Sequence, residues 1–371
     1  MSKPKVIVIG AGIMGLATAW QLAKKGANVT VLEQSAVPNP VGSSVDDHRL
    51  IRYPYGDKPG FVAMVRQAFG AWDEMWADLG ERHYHESGTL VFGGPNTPRA
   101  KVQADVLATQ GIDVEWLSPA QLVRDYPLLM LDDLDGGFRL PTGGTLRCGR
   151  IVAALYRHLT FQGMDIRPFT QVKDVDPVTA SVTLADGSKL TADKIVIAAG
   201  AWLTKLLPDM ASRVTPSRQI VIYVRPPAGT ADAWRKMPCL LDIDGGNNGF
   251  YLVPPTPGTG LKIGDHIFSR QGDPSAERIV AKAEAQAILD KCAGRFRNHG
   301  DYRIIEGKAC FYTVEPDEKL LIEARDKALI LSPCSGHGFK FGSIVGTRAA
   351  DVVMGAADAE QVRRWATGEA P

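Results

Sequence analysis

With 371 residues, 45% of them hydrophobic and 22% charged, the chain exceeds what one hydrophobic core usually serves, so two domains or one with a large insertion are expected. A formal net charge of +1 excludes the strong charge imbalance that marks nucleic-acid or anionic-membrane partners, and no apolar run reaches the roughly 18 residues of a spanning helix. Five cysteines, at 148, 239, 292, 310 and 334, form no C-x-x-C pair and no His/Cys cluster has metal-ligand spacing, so no metal and reduced thiols in a cytoplasm are expected.

The N-terminus is too short and too glycine-rich after its apolar run for a signal peptide, which agrees with a cytoplasmic location. That run opens the most specific stretch of the chain, "KVIVIGAGIMGLATAWQLAKKGANVTVLEQ" (5–34). Lys5–Ile9 reads as a strand buried on both faces, and Gly10, Gly12 and Gly15 complete G-x-G-x-x-G. Leu16–Lys25 has helical composition with Gly26 as its C-cap, and a second strand, Asn28–Leu32, ends at Glu33. The glycines suit a tight turn, close approach of a pyrophosphate and close helix–strand packing. The helix N-terminus offers N–H groups to phosphate, and Glu33 offers its carboxylate to ribose hydroxyls. This unit predicts a Rossmann-like α/β domain and a dinucleotide, without choosing between NAD and FAD.

Next comes "HRLIRYPYG" (48–56), with Arg49 and Arg52 spaced i, i+3. Asp46, Asp47 and Asp57 allow a surface ion-pair network here, but Leu50, Ile51, Tyr53 and Tyr55 make an apolar neighbourhood in which an arginine needs an anion. From about 86 to 145 the chain is punctuated by "GGPNTPR" and "LDGGFRLPTGG", as inserted modules are. "LTADKIVIAAGAWLTKLL" (190–207) then predicts a buried strand, Lys194–Ala198, and a helix opened by Ala199-Gly200-Ala201. Such a return to the first sheet after a long excursion is a habit of FAD-binding two-domain oxidoreductases. In "LKIGDH" (261–266), Leu261 and Ile263 face one way and Lys262, Gly264 and His266 the other, with Gly264 leaving room for a flat ring. "IEGKACFYTVEPDEKLLIEA" (305–324) predicts strand, turn, strand, in which Cys310 could be ordinary small-hydrophobe filling. A last buried strand at 327–331 leads into a glycine-rich turn and a helix starting near Gly338, with Lys340 wedged between Phe339 and Phe341.

Four segments, "GAGIMGLATAWQLAKKG", "HRLIRYPYG", "GLKIGDH", and "KACFYTVEPDE" with "GHGFKF", occur in the order and at the separations of one family. The chain resembles monomeric sarcosine oxidase and its relatives, N-methyltryptophan and pipecolate oxidases, within the D-amino-acid-oxidase-like superfamily. The resemblance implies a discontinuous FAD-binding domain (1–85, 145–215, 305–371) and an α+β substrate domain on an antiparallel sheet (86–144, 216–304). It implies that Cys310 carries FAD through a thioether and that Lys262 sits over the flavin N5 region and promotes reaction with oxygen. Arg52 and Lys340 would clamp the substrate carboxylate, Arg49 would lie close to the isoalloxazine, and His266, Tyr251 and Tyr312 would line the pocket, His266 with the chemistry of a base. The remaining cofactor contacts would be Gly10, Gly12, Ile13, Met14, Gly15, Glu33, Val172, Gly200, Gly336, Gly338 and Phe339.

The implied reaction oxidises a secondary amine or N-substituted amino acid, passing hydride to flavin, hydrolysing the imine and reducing O2 to peroxide, in a monomer. A dehydrogenase with another acceptor, an oxidase of opines or fructosyl amino acids, and a non-catalytic flavin-binding protein are the alternatives. Three departures touch the pocket: "SSVDDHRL" (43–50), where the family is often rich in histidine and glycine, the proline-rich "YLVPPTPGTGLK" (251–262), and Asp265 before His266.

Overall fold

Lys5–Ile9 is a strand, and its continuous apolar run is explained by burial on both faces. Val6 and Val8 pack into one core with the helices Ile13–Lys24, Pro59–Leu79 and Gly342–Val353. Ile7 and Ile9 pack into a second core, with Val175, Val182 and Leu184 of a small three-stranded sheet. Fully burying each such side chain contributes about 1.5–3 kcal/mol. The computed structural model describes residues 3–94, 96, 98–243 and 249–369; Pro95 and Thr97 of "GGPNTPR" lie outside them.

The central sheet has six strands, in the order Leu321–Arg325, Ala328–Ser332, Lys194–Ile197, Lys5–Ile9, Asn28–Leu32, Asp165–Arg167. All neighbours are parallel except the hairpin of the first two. Lys5–Ile9 is paired on one side with the strand that follows it and on the other with one nearly two hundred residues later. Strand order therefore reverses at its carboxyl end, where open α/β sheets place ligands. The predicted helix starts at Ile13 rather than Leu16, and the strand predicted at Lys194–Ala198 ends at Ile197.

The second large sheet has eight strands and is antiparallel throughout except where Cys239–Asp242 runs parallel to Thr89–Phe92. Its backbone is the long pair Thr215–Arg225 and Arg303–Val314, with Leu261–Gly264 and Tyr251–Val253 alongside. Period-2 alternation separates its faces. Ile222, Val224, Leu252, Leu261 and Ile263 enter a third core with Trp234 and Phe296. Tyr223, Lys262, Tyr251, Cys310 and Tyr312 are in register on the opposite face, which turns toward the central sheet's crevice. Among the described residues no helix is long and apolar enough to cross a membrane.

Helices Ile13–Lys24 and Gly342–Val353 touch backbone to backbone. A Cβ on Gly346 would lie 2.6 Å from the Ala17 carbonyl carbon, so this crossing tolerates no side chain. Gly346→Val should cost about 1–3 kcal/mol through overpacking. Gly70, in the helix Pro59–Leu79 with open space beside it, provides the contrast. Gly70→Ala should stabilise by about 0.5–1 kcal/mol, and thermal unfolding of the two variants measures both.

Candidate active site

A cavity of about 850 Å³ starts at the carboxyl end of Lys5–Ile9 and reaches the polar face of the eight-stranded sheet. Its first half is the glycine turn. Gly10 takes φ +101° and packs on the Ala198 carbonyl, a conformation and an approach that a side chain would forbid. Glu33 is buried, its Oε2 accepting from Ala11 N–H at 2.9 Å and its Oε1 from Ser35 N–H and Asn39 Nδ2, each at 3.0 Å. Burial pushes its carboxyl pKa up and these three donors oppose the shift. The helix N-terminus is less open than the sequence suggests, because Ile13 N–H donates to Ser44 Oγ at 3.0 Å. Gly12 and Met14 still face the cavity. Glycines that admit backbone and no side chain, a buried acid at the end of the second strand and a helix start fit a dinucleotide's pyrophosphate and ribose.

The second half is cationic. Arg49 lies on the short strand Arg49–Ile51, paired with Gly144–Leu146, and Lys262 projects from Leu261–Gly264 beside Tyr223. Both meet Asp46. Lys262 Nζ lies 2.5 Å from Asp46 Oδ2, and Arg49 donates to the same oxygen. Tyr223 Oη donates to Oδ1 at 2.6 Å, and Lys262 Nζ also donates to the His48 carbonyl at 2.9 Å. Burial would raise the Asp46 carboxyl pKa, but Lys262 and Arg49 outweigh it and hold the group well below the usual carboxylate range. Burial, then Arg49, pull the Lys262 pKa down while Asp46 lifts it. His48 is pushed down to about 3, chiefly by burial and Lys262, and stays neutral.

A few residues on, Arg52 and Lys340 share Tyr55. The Arg52 guanidinium stacks over its ring at 4.7 Å, and Lys340 Nζ donates to its hydroxyl at 2.9 Å and to the His337 carbonyl at 2.8 Å. Tyr55 Oη lies 3.1 Å from His337 Nδ1, and His337 Nε2 lies 2.9 Å from the Glu318 carbonyl. A carbonyl only accepts, so Nε2 carries the proton and Nδ1 receives the Tyr55 hydrogen. Among the described residues neither Arg52 nor Lys340 has a carboxylate partner. Burial lowers the pKa of both cations, that of Lys340 strongly and with help from Arg52.

Of the residues singled out in the sequence, Gly10, Gly12, Ile13, Met14, Glu33, Val172, Gly200, Gly336, Gly338 and Phe339 line this one cavity. So do Arg49, Arg52, Tyr251, Lys262, His266, Tyr312 and Lys340. Gly15 lies beneath the turn against Gly10, and the wall stops short of Cys310, which is half-buried on the face it shares with Tyr312. Burial raises the Cys310 thiol pKa, with Arg49 and Lys262 opposing.

Three expectations are corrected. Gly264 makes room for Tyr251, not for a ligand ring, since its Cβ would lie 2.6 Å from the Tyr251 hydroxyl. His266 does not continue the alternation, because the strand ends at Gly264; its side chain is 55% exposed at the rim, 3.1 Å from Glu318. The helix expected near Gly338 begins as a single 3₁₀ turn, Phe339–Phe341, which delivers Lys340 before the α-helix starts at Gly342. Asp46, Tyr55, Tyr223 and His337 carry much of the hydrogen bonding and were not singled out. Only the i, i+3 spacing of Asp46 and Arg49 signalled one of them.

A glycine turn with a buried acid, facing a cationic wall across a crevice, suits an oxidoreductase site built around a dinucleotide. Residues 5–352 match the family model described as FAD dependent oxidoreductase, and the chain belongs to that family. It is 30% identical over 359 residues to monomeric sarcosine oxidase of Bacillus sp. (strain NS-129), covering 94% of this chain and 92% of that one. To N-methyl-L-tryptophan oxidase of Yersinia pestis (strain Pestoides F) it is 27% identical over 354 residues, covering 93% of each. In fold it is similar to NikD, an amino acid oxidase of nikkomycin biosynthesis, with TM-score 0.83 and 22% identity over 99% of this chain and 98% of that one. The fructosamine oxidase Amadoriase II of Aspergillus fumigatus shares the fold at TM-score 0.81 and 18% identity, over 98% and 89% of the chains.

Proposed function

We propose that the chain oxidises the C–N bond of an N-substituted α-amino acid, such as an N-methyl or cyclic imino acid, with O2 as the electron acceptor. The carrying observation is the pair Arg52 and Lys340: a half-buried arginine and a buried lysine on the wall of the FAD-family cavity, sharing Tyr55, with no carboxylate partner among the described residues. Leaving charge in that state is costly, and a carboxylate ligand would remove the cost. Bound FAD supplies the two-electron acceptor. Arg52 and Lys340 hold the carboxylate, and Tyr55, fixed by His337, keeps the two cations at a set separation. Tyr251 and Tyr312 wall the amine. Lys262 offers a buried positive charge where oxygen is reduced, which lowers the barrier electrostatically. His266, exposed and paired with Glu318, acts at the rim rather than as the base. The discontinuous division into 1–85, 145–215 and 305–371 against 86–144 and 216–304 belongs to the same proposal, with Thr215–Arg225 and Arg303–Val314 pairing at its boundaries.

The test is anaerobic mixing with sarcosine, other N-methyl amino acids, pipecolate, proline, opines and fructosyl amino acids while following flavin absorbance. A compound that bleaches the flavin, with air restoring it and yielding peroxide, is expected. A panel that leaves the absorbance unchanged sinks the amine reading. Slow recovery in air moves a dehydrogenase ahead.

Carboxylate binding should depend on pH with a definite sign. The Lys340 pKa is depressed in the free site and a carboxylate raises it, so above the depressed value binding must take up a proton. Propionate affinity should therefore fall as pH rises, by up to about tenfold per unit. Lys340→Met should flatten the profile and weaken binding by about 1.5–3 kcal/mol, the size of a hydrogen bond to a charged group.

We also propose that Cys310 carries the flavin covalently, since it shares a sheet face with Lys262 and Tyr312 and has two cations nearby. Cys334 is the competing thiol because it lines the cavity itself. Acid-precipitated wild type and Cys334→Ala should give yellow pellets, and Cys310→Ala a colourless one. Extractable flavin from the wild type rules the link out.

A further inference from the structure

Lys262 and Arg49 line the cavity, whereas the carboxylate that joins them does not: Asp46 sits behind both with 4% of its side chain exposed. Its two oxygens are fully engaged, one by Lys262 and Arg49, the other by Tyr223, with Lys308 3.6 Å away. Lys262 itself is 1% exposed and has a second fixed acceptor, the His48 carbonyl. Its direction is thus dictated from behind. Nothing in the carboxylate clamp uses Asp46, and an ion pair so deeply buried is a poor source of stability. What it controls is charge. Without Asp46 two cations would face the ring together, and one of them, a lysine in an apolar setting, readily gives up its proton.

We propose that Asp46 is a positioning residue that keeps Lys262 charged and aimed at the flavin, and so sets the positive field that the ring meets. This rests on the reading of Lys262 as the flavin-facing cation. The groups around Lys262 leave Asp46 the decisive one. From its own loop come His48, which is neutral, and Arg49, which is a fixed cation. From the neighbouring strand and helix come Tyr223 and Cys148, both shifted upward by burial and uncharged. Lys308 reaches the far oxygen of Asp46 and is shared with the more exposed Asp47 and Glu306.

The experiment uses the FAD-loaded protein and sulfite, an anion whose reversible binding to oxidised flavin is favoured by positive charge beside the ring. Sulfite dissociation constants are measured for wild type and Asp46→Asn across the neutral pH range, and the variant-to-wild-type ratio is taken at each pH. At the acid end, where Lys262 keeps its proton without a counter-charge, the variant should bind sulfite about tenfold more tightly, equivalent to ~30 mV in a two-electron potential. As pH rises and Lys262 loses its proton, the ratio should return toward one. In a Lys262→Met background, adding Asp46→Asn should give a ratio that does not change with pH.

A flat ratio near one for Asp46→Asn with FAD bound overturns the proposal and leaves Asp46 structural. If that variant fails to hold FAD, Tyr223→Phe decides. Losing one donor concentrates negative charge on Asp46, so sulfite should bind about two- to threefold more weakly; unchanged binding overturns the proposal. Neither readout needs a substrate. A panel of amines that bleaches nothing would sink the amine reading alone, and a flat ratio with an active panel would sink this one alone.

Discussion

Buried positive charge is the constraint around which this molecule is organised. The buried Lys262 and Lys340 and the half-buried Arg49 and Arg52 stand on one cavity wall, and a protein interior tolerates such groups only when something anionic or strongly hydrogen-bonding answers them. The chain answers two of them itself, through Asp46; the other two are held by Tyr55 and the His337 carbonyl and have no carboxylate partner among the described residues. That asymmetry separates the site into a part whose charge is balanced within the fold and a part that presents its charge to the cavity. The eight-stranded sheet makes the separation possible. Its inner face is consumed by Ile222, Leu252 and Ile263, so its outer face is free to carry Lys262, Tyr223 and Tyr312 without weakening the core.

The fold was legible where sequence-local physics decides it. Lys5–Ile9 and Asn28–Leu32 fall where the β-branched runs place them, and the glycine turn follows, because strand burial, the tight turn and the helix start all lie within thirty residues. Departures began where distant segments compete. Ser44, thirty-one residues on, takes an N–H that the helix start would otherwise present. Gly264 was legible as a place where something flat must fit, but the occupant is Tyr251 across the strand pair, a neighbour known only from register.

The site shows the same division. Arg52 and Lys340 stood out because cations among aromatic residues are anomalous at the level of sequence. Asp46 looked like one more acid in a polar loop. Its importance comes from Lys262, 216 residues away, and from Tyr223, 177 away, and no periodicity reports contacts of that range. Tyr55 and His337 escaped for the same reason, being 282 residues apart yet hydrogen-bonded.

The position of Ala328–Ser332 in the central sheet bears on how the protein is made. That strand pairs with Lys194–Ile197, and the turn after it brings Phe339 and Lys340 to a cavity whose other end is residues 10–14. Segments more than three hundred residues apart in sequence, around Gly12 and Phe339, thus enclose the same space. A nascent chain can shape the glycine turn early, but it cannot enclose a flavin until residues 328–340 have been added. Cofactor capture therefore waits for that segment, and a chain truncated before residue 328 would lack a wall of the pocket however well the glycine turn and its neighbouring strands had folded.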